Sequence, residues 1–111
     1  MSARPIEATI EYHSRLALSQ PPQPREPVVV DYPYFDGADD HYVGEFDVFI
    51  DDTGGVVRVT PATPDLPGIL VNAVREAFLA ARFAPGELQG RPVRSRIRIE
   101  VTFDSRRSVA S

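Results

Sequence analysis

From Val93 onward the chain alternates. Val93, Ser95, Ile97, Ile99, Val101 and Phe103 take the odd positions, and Arg94, Arg96, Arg98, Glu100 and Thr102 take the even ones. Side chains of an extended chain point to opposite faces in turn, so a period of two predicts one long strand with a buried face and a wet one. A slip of one residue would turn the whole apolar set to water, which makes the register strongly specified.

A hairpin is expected ahead of it. Phe46, Val48 and Ile50 alternate with Glu45, Asp47, Phe49 and Asp51, and Asp52-Thr53-Gly54-Gly55 carries turn chemistry. Val56-Val57-Arg58-Val59-Thr60 then resumes β-branched character until Pro61. Between this hairpin and the last strand, Ile69, Leu70, Ala73, Val74, Ala77, Phe78 and Ala81 follow the spacing of a helix with one apolar stripe. Asp65 is placed to cap its start and Pro67 suits its first turn. Arg82 falls near the negative end of the dipole, Pro85-Gly86 is the stop, and Phe83 is expected to plug the core.

Strand, strand, helix, strand predicts an α+β fold. The expected form is a two-layer α/β sandwich (β-β-α-β) with a three-stranded antiparallel sheet, one main helix and a Pro-rich extended N-terminal arm. A crossover that skips one strand puts the third beside the first, in the order 2-1-3, and leaves the last strand as an edge.

The 111 residues fit one domain. Eleven prolines crowd into the first third and two later turns, so the packed region is shorter than the chain. Residues 1–27 read as an extended arm. Ile6 to Tyr12 alternates weakly, and Gln20-Pro21-Pro22-Gln23-Pro24-Arg25-Glu26-Pro27 is polyproline-like, a linker or a surface wrap. Residues 28–104 are the folded domain and 105–111 a disordered tail. Within 34–43, Gly37 and Asp39-Asp40 make a poor helix former.

Several function classes fall away. A formal net charge of −4 argues against nucleic-acid binding. The absence of cysteine excludes disulfides and thiolate metal sites. The acidic stretches Asp36 to Asp40 and Asp51-Asp52 lack the spacing and closing glutamate of a calcium loop. His13 and His41 are solitary, and Ser14 beside His13 has no orienting acid or oxyanion hole. The chain therefore reads as non-catalytic, with no cofactor and no metal. No apolar run suffices for a membrane span, and Met1-Ser2-Ala3-Arg4-Pro5 has no signal pattern. Any export leader or anchor is expected to lie outside this sequence.

One family resemblance ties the elements together. Gly44 to Asp51 followed by Gly54-Gly55-Val56 resembles the opening hairpin of TonB-family C-terminal domains. Ala81-Arg82-Phe83-Ala84-Pro85-Gly86 is similar to their helix-ending arginine, aromatic, any residue, Pro-Gly signature. Gly90-Arg91-Pro92-Val93 resembles the entry to their last strand, and Tyr32-Pro33 the Tyr-Pro that often precedes the domain. The likeness covers roughly 32–104. Two features depart from it: 34–43 is a weaker helix than the family's, and no membrane anchor or long spacer is present.

The resemblance implies a periplasmic energy transducer. Such domains grip an outer-membrane TonB-dependent receptor or transporter by drawing a short segment of it onto the edge of their sheet. The full-length protein would be anchored in the inner membrane and reach motor proteins there. An exposed edge strand can accept an extended peptide. Since receptor segments of this family are acidic and apolar, Arg94, Arg96 and Arg98 would supply matching charge. Ile99, Glu100, Val101 and Thr102 complete the expected contact strand, with Tyr32 and Pro33 on the rim. The arm could instead lie along that edge, or a homodimer could form through it. The alternative reading is a structural or assembly module of a cell-envelope or secretion complex.

Overall fold

The computed structural model describes residues 12–30, 41–104 and 108–110. In chain order the strands are β1 (His13–Ser14), β2 (Gln23–Pro24), β3 (His41–Ile50), β4 (Val56–Pro61), β5 (Phe83–Ala84), β6 (Gly86–Leu88), β7 (Arg91–Val93), β8 (Ser95–Asp104) and β9 (Ser108–Ala110). The helix α1 spans Gly68–Leu79, and a 3-10 turn spans Arg15–Ala17.

The two alternating segments form the centre of the main sheet. β3 and β8 run antiparallel from His41 opposite Asp104 to Ile50 opposite Ser95. β4 flanks β3, with Val48 opposite Val59 and Phe46 opposite Pro61. The order β4-β3-β8 is the 2-1-3 arrangement that the sequence predicts. The three-strand expectation needs correction. β1 joins the outer side of β8 in parallel, His13 opposite Ser95 and Ser14 opposite Arg96. β9 joins the same side farther along, from Val101 opposite Ala110 to Phe103 opposite Ser108. The physical reason is the long outer side of β8, whose main-chain groups need partners that short neighbouring segments supply.

The odd residues of β8 and the even residues of β3 share one face, and α1 covers it. Leu70, Val74 and Phe78, four residues apart, meet Phe46, Val48, Ile50, Ile99, Val101 and Phe103 in one buried cluster. Phe83 plugs that core as expected, its ring stacked near Phe78 at 6.4 Å between centroids. Two helix expectations do not hold. The N-cap is Pro67 with no side-chain cap bond, because Asp65 lies two residues earlier at φ 64. The helix also ends at Leu79, and Arg82 bridges to Gly55 beyond its last turn.

The hairpin turn is built on Asp51. Its Oδ1 accepts from the Thr53 N–H at 2.9 Å, the Thr53 hydroxyl at 2.7 Å and the Gly55 N–H at 2.9 Å. These bonds favour the charged form, the Thr53 hydroxyl most, and hold the carboxyl below its ordinary value of 3.8 against the opposing effect of burial. A group depressed in the folded state stabilises above its unfolded pKa and loses that contribution as pH falls through the folded value. Asp51→Asn is therefore expected to lower stability at pH 7 and to flatten the acid limb below about pH 4. Urea titrations of both proteins across that range check it.

Of the two readings of the Pro-rich arm, linker or wrap, residues 12–30 show the wrap. The Glu87 N–H donates to Gln20 O at 2.8 Å, and the Ser19 N–H donates to Glu87 O at 2.9 Å. β2 pairs with β5, Pro22 is buried and Val30 is fully covered. A Cβ at Gly86 would stand 2.8 Å from Leu18 Cδ1 and 3.2 Å from Ser95 Cβ, so a glycine there lets the arm lie close. The strand expected over Ile6 to Tyr12 lies outside the described residues except for Tyr12, as does the weak helix over 34–43 except for 41–43, which belong to β3. Ser108–Ala110 form a strand within the segment expected as a disordered tail, of which 105–107 and 111 lie outside the described residues.

Candidate functional site

A sheet can accept a partner only where its main chain faces outward unpaired. The outer side of β4 is blunted. The Arg75 guanidinium reaches Val59 O at 3.4 Å, Pro61 has no N–H to offer, and the register shifts between Phe49 and Ile50. The outer side of β8 is closed at both ends, by β1 at Ser95 and Arg96 and by β9 from Val101 to Phe103. Between them, 97–99 faces no described strand.

The direction of the main chain there follows from one bond. The His13 N–H donates to Arg94 O at 3.0 Å, so even-numbered residues turn their N–H and C=O outward along this strand. Arg98 is the even residue in the gap. Its side chain lies on the face away from α1, where Nε donates to Asp47 Oδ1 at 3.0 Å and Nη2 to Oδ2 at 3.1 Å. This fork raises the Arg98 pKa further above its ordinary value, first through the hydrogen bond and then through the charge. The fork holds the side chain, and no described strand pairs with the outward main chain.

On the α1 side of the gap lies a cavity of about 330 Å³. Phe78 and Phe83 come from the core, Ile97 and Ile99 from β8, and Pro24 and Val28 from the arm. Arg15, exposed, stands at its rim beside β1. On the opposite face Phe49 is held between the Tyr12 ring, edge-on at 5.2 Å, and the Arg58 guanidinium, 4.2 Å from its centroid. That contact fastens the start of the described arm across the sheet.

No family model, curated protein or solved structure matches this chain.

The expected site residues are divided by this geometry. Arg94 and Arg96 are exposed at the end that β1 covers, and neither forms an ion pair with a described residue. Arg98 and Ile99 lie in the gap, where Ile99 is largely buried. Glu100 is exposed opposite Glu45. Val101 is fully buried on the α1 face, and both it and Thr102 pair with β9. Tyr32 and Pro33 lie outside the described residues. An edge open over the whole strand therefore narrows to one rung. Of the residues that frame the cavity, the sequence places Phe78 in the helix stripe and Pro24 and Val28 in the arm, the segment that could lie along the edge, and gives no signal for Arg15. In the run Val28 to Val30 directly after the prolines, Val30 is buried and Val29 exposed. Among the described residues, no group of three or more His, Cys, Asp or Glu could hold a metal ion, and no helix is long and apolar enough to cross a membrane.

Proposed function

We propose that this chain is a non-catalytic periplasmic binding domain with the architecture and role of a TonB-family C-terminal domain. It binds an extended acidic and apolar segment of an outer-membrane transporter by adding it to β8. Within a longer, membrane-anchored protein it passes on energy from inner-membrane motor proteins. The observation that carries the reading is the outward main chain of Arg98, which faces no described strand between β1 and β9 and is flanked by an apolar cavity. An added strand gains main-chain hydrogen bonds there, while the exposed Arg96 favours a partner with carboxylates.

One observation favours the alternative of a structural or assembly module of the cell envelope. The chain's own arm and C-terminal strand already occupy both ends of the β8 edge. In that reading the closure is permanent and a partner attaches elsewhere.

Titration of the labelled domain with acidic-apolar peptides from transporter N-termini separates the two. Amide shifts centred on 97–99 support strand addition, and shifts confined to other surfaces favour the assembly module. Arg96→Glu is expected to leave folding intact, since the side chain is exposed and forms no ion pair with a described residue, and to weaken the acidic peptide by about 3–10-fold at low salt. An unchanged dissociation constant would count against charge matching.

A further inference from the structure

The cavity between the arm and the body of the domain joins apolar surface to positive charge. Phe78 and Phe83 reach it from the core, Ile97 and Ile99 from β8, and Val28 and Val29 from the arm. Its polar lining is Gln23, Arg15 and Arg98, with no carboxylate among the described residues. That sign is against the balance of the chain, in which 16 acidic residues face 12 basic ones. We propose that the cavity binds a free medium-chain fatty acid, its tail against the apolar lining and its carboxylate on Arg15. The inference stands apart from strand addition, since it needs no main-chain bond to β8.

Size and charge together select this ligand. The volume of about 330 Å³ lies at the small end for a ligand site. A methylene takes roughly the share of a water molecule in the liquid, about 30 Å³, so the tail has room for about eight to ten carbons. Val29 is 65% exposed where it lines the cavity, apolar surface that a bound tail removes from water. Arg15 is exposed and forms no ion pair with a described residue, whereas Arg98 is held by Asp47 on the other face. One available guanidinium matches a monoanion, and its planar fork matches a carboxylate. A phosphate monoester carries more charge at neutral pH than Arg15 alone offsets. The arm side of the cavity is pinned to the body by bonds such as the Arg25 N–H to Arg82 O at 2.9 Å. A ligand that touches both sides therefore also holds the arm down.

The probes are hexanoate, octanoate and decanoate below their micelle concentrations, with 1-octanol as the uncharged control. The full 111-residue chain is followed at the methyls of Val28 and Ile97, which report the cavity, and at the Arg25 amide, which reports the arm. The expected result is saturable methyl shifts, with affinity rising about fourfold for each added methylene. Exchange of the Arg25 amide slows as the cavity fills. Arg15→Gln weakens octanoate by about three- to fivefold at low salt and leaves 1-octanol unchanged. Val28→Phe narrows the cavity and abolishes decanoate binding in a chain whose amide spectrum stays native elsewhere.

No saturable methyl shift at millimolar decanoate overturns the proposal. So do shifts spread over the whole surface with loss of amide protection, which mark detergent action and not a site. Octanoate that binds the Arg15→Gln chain as tightly as the native one overturns the carboxylate assignment. None of these outcomes bears on strand addition, which is read with peptides at the Arg98 amide.

Discussion

Chemical denaturation of Gly54→Ala is expected to show a loss of about 3–5 kcal/mol, far above the cost of an ordinary surface change. Gly54 has φ 92, a conformation that L side chains rarely adopt. A Cβ there would fall on the Phe83 carbonyl oxygen and lie 2.9 Å from its carbonyl carbon. Neither main chain can withdraw cheaply. The Phe83 N–H donates to Gly54 O at 3.0 Å, and the Phe83 ring is buried against Phe78. The turn and the post-helix strand are thus docked through two backbones, and relieving the clash pulls Phe83 out of the core. Urea midpoints measure the effect, and an unchanged slope would show that the native state itself was destabilised. A midpoint like the native one would mean that the turn does not dock on Phe83.

The second large effect is Val101→Asp, which is expected to unfold the domain at neutral pH. Val101 is fully buried on the α1 face, opposite Gly44 in the register. An unpaired carboxylate there costs several kcal/mol, a large part of the stability of a domain this size. Folding requires the neutral form of the new carboxyl, so its pKa is raised in the folded state. The penalty is smallest below the ordinary carboxyl range and grows as pH rises through it. Circular dichroism from pH 3 to 7 checks both parts, with about pH 4–5 as the expected onset of loss. Thr102→Asp, one residue along and half-exposed, is the control that keeps its fold. If Val101→Asp stays folded at pH 7, the side chain faces water, as a partner-contact residue would.

These two positions also mark what the sequence made legible. The alternation of 93–103 and 46–50 and the helical spacing from Leu70 to Phe78 each repeat often enough to assign a face, so the central sheet, the helix and the strand order could be read directly. A period assigns a face but not a depth. Val101 and Ile97 share a face, yet Val101 is fully buried in the core while Ile97 is half-buried at the cavity wall. β1 and β9 have two and three residues, too few to carry any period, and so the strand that looked like a free edge acquires covers at both ends. The arm misled in another way. Proline content predicts an extended chain but cannot say what it lies against, and Pro22 and Val30 are buried through contacts far away in sequence. The Arg98–Asp47 fork spans 51 positions and becomes visible only once the β3–β8 register is known.

The central claim, as proposed above, is that the outward main chain of Arg98, which no described strand pairs, is closed by an extended acidic-apolar segment. Residue-resolved amide hydrogen exchange tests this most directly. In the free domain the Arg98 amide should exchange fast, while the amides of Ile97 and Ile99, which face β3, are strongly protected. Saturating peptide should slow Arg98 to the range of its neighbours and leave Ile97 and Ile99 unchanged. Strong protection of Arg98 in the free domain, or fast exchange that persists under saturating peptide, would contradict the account.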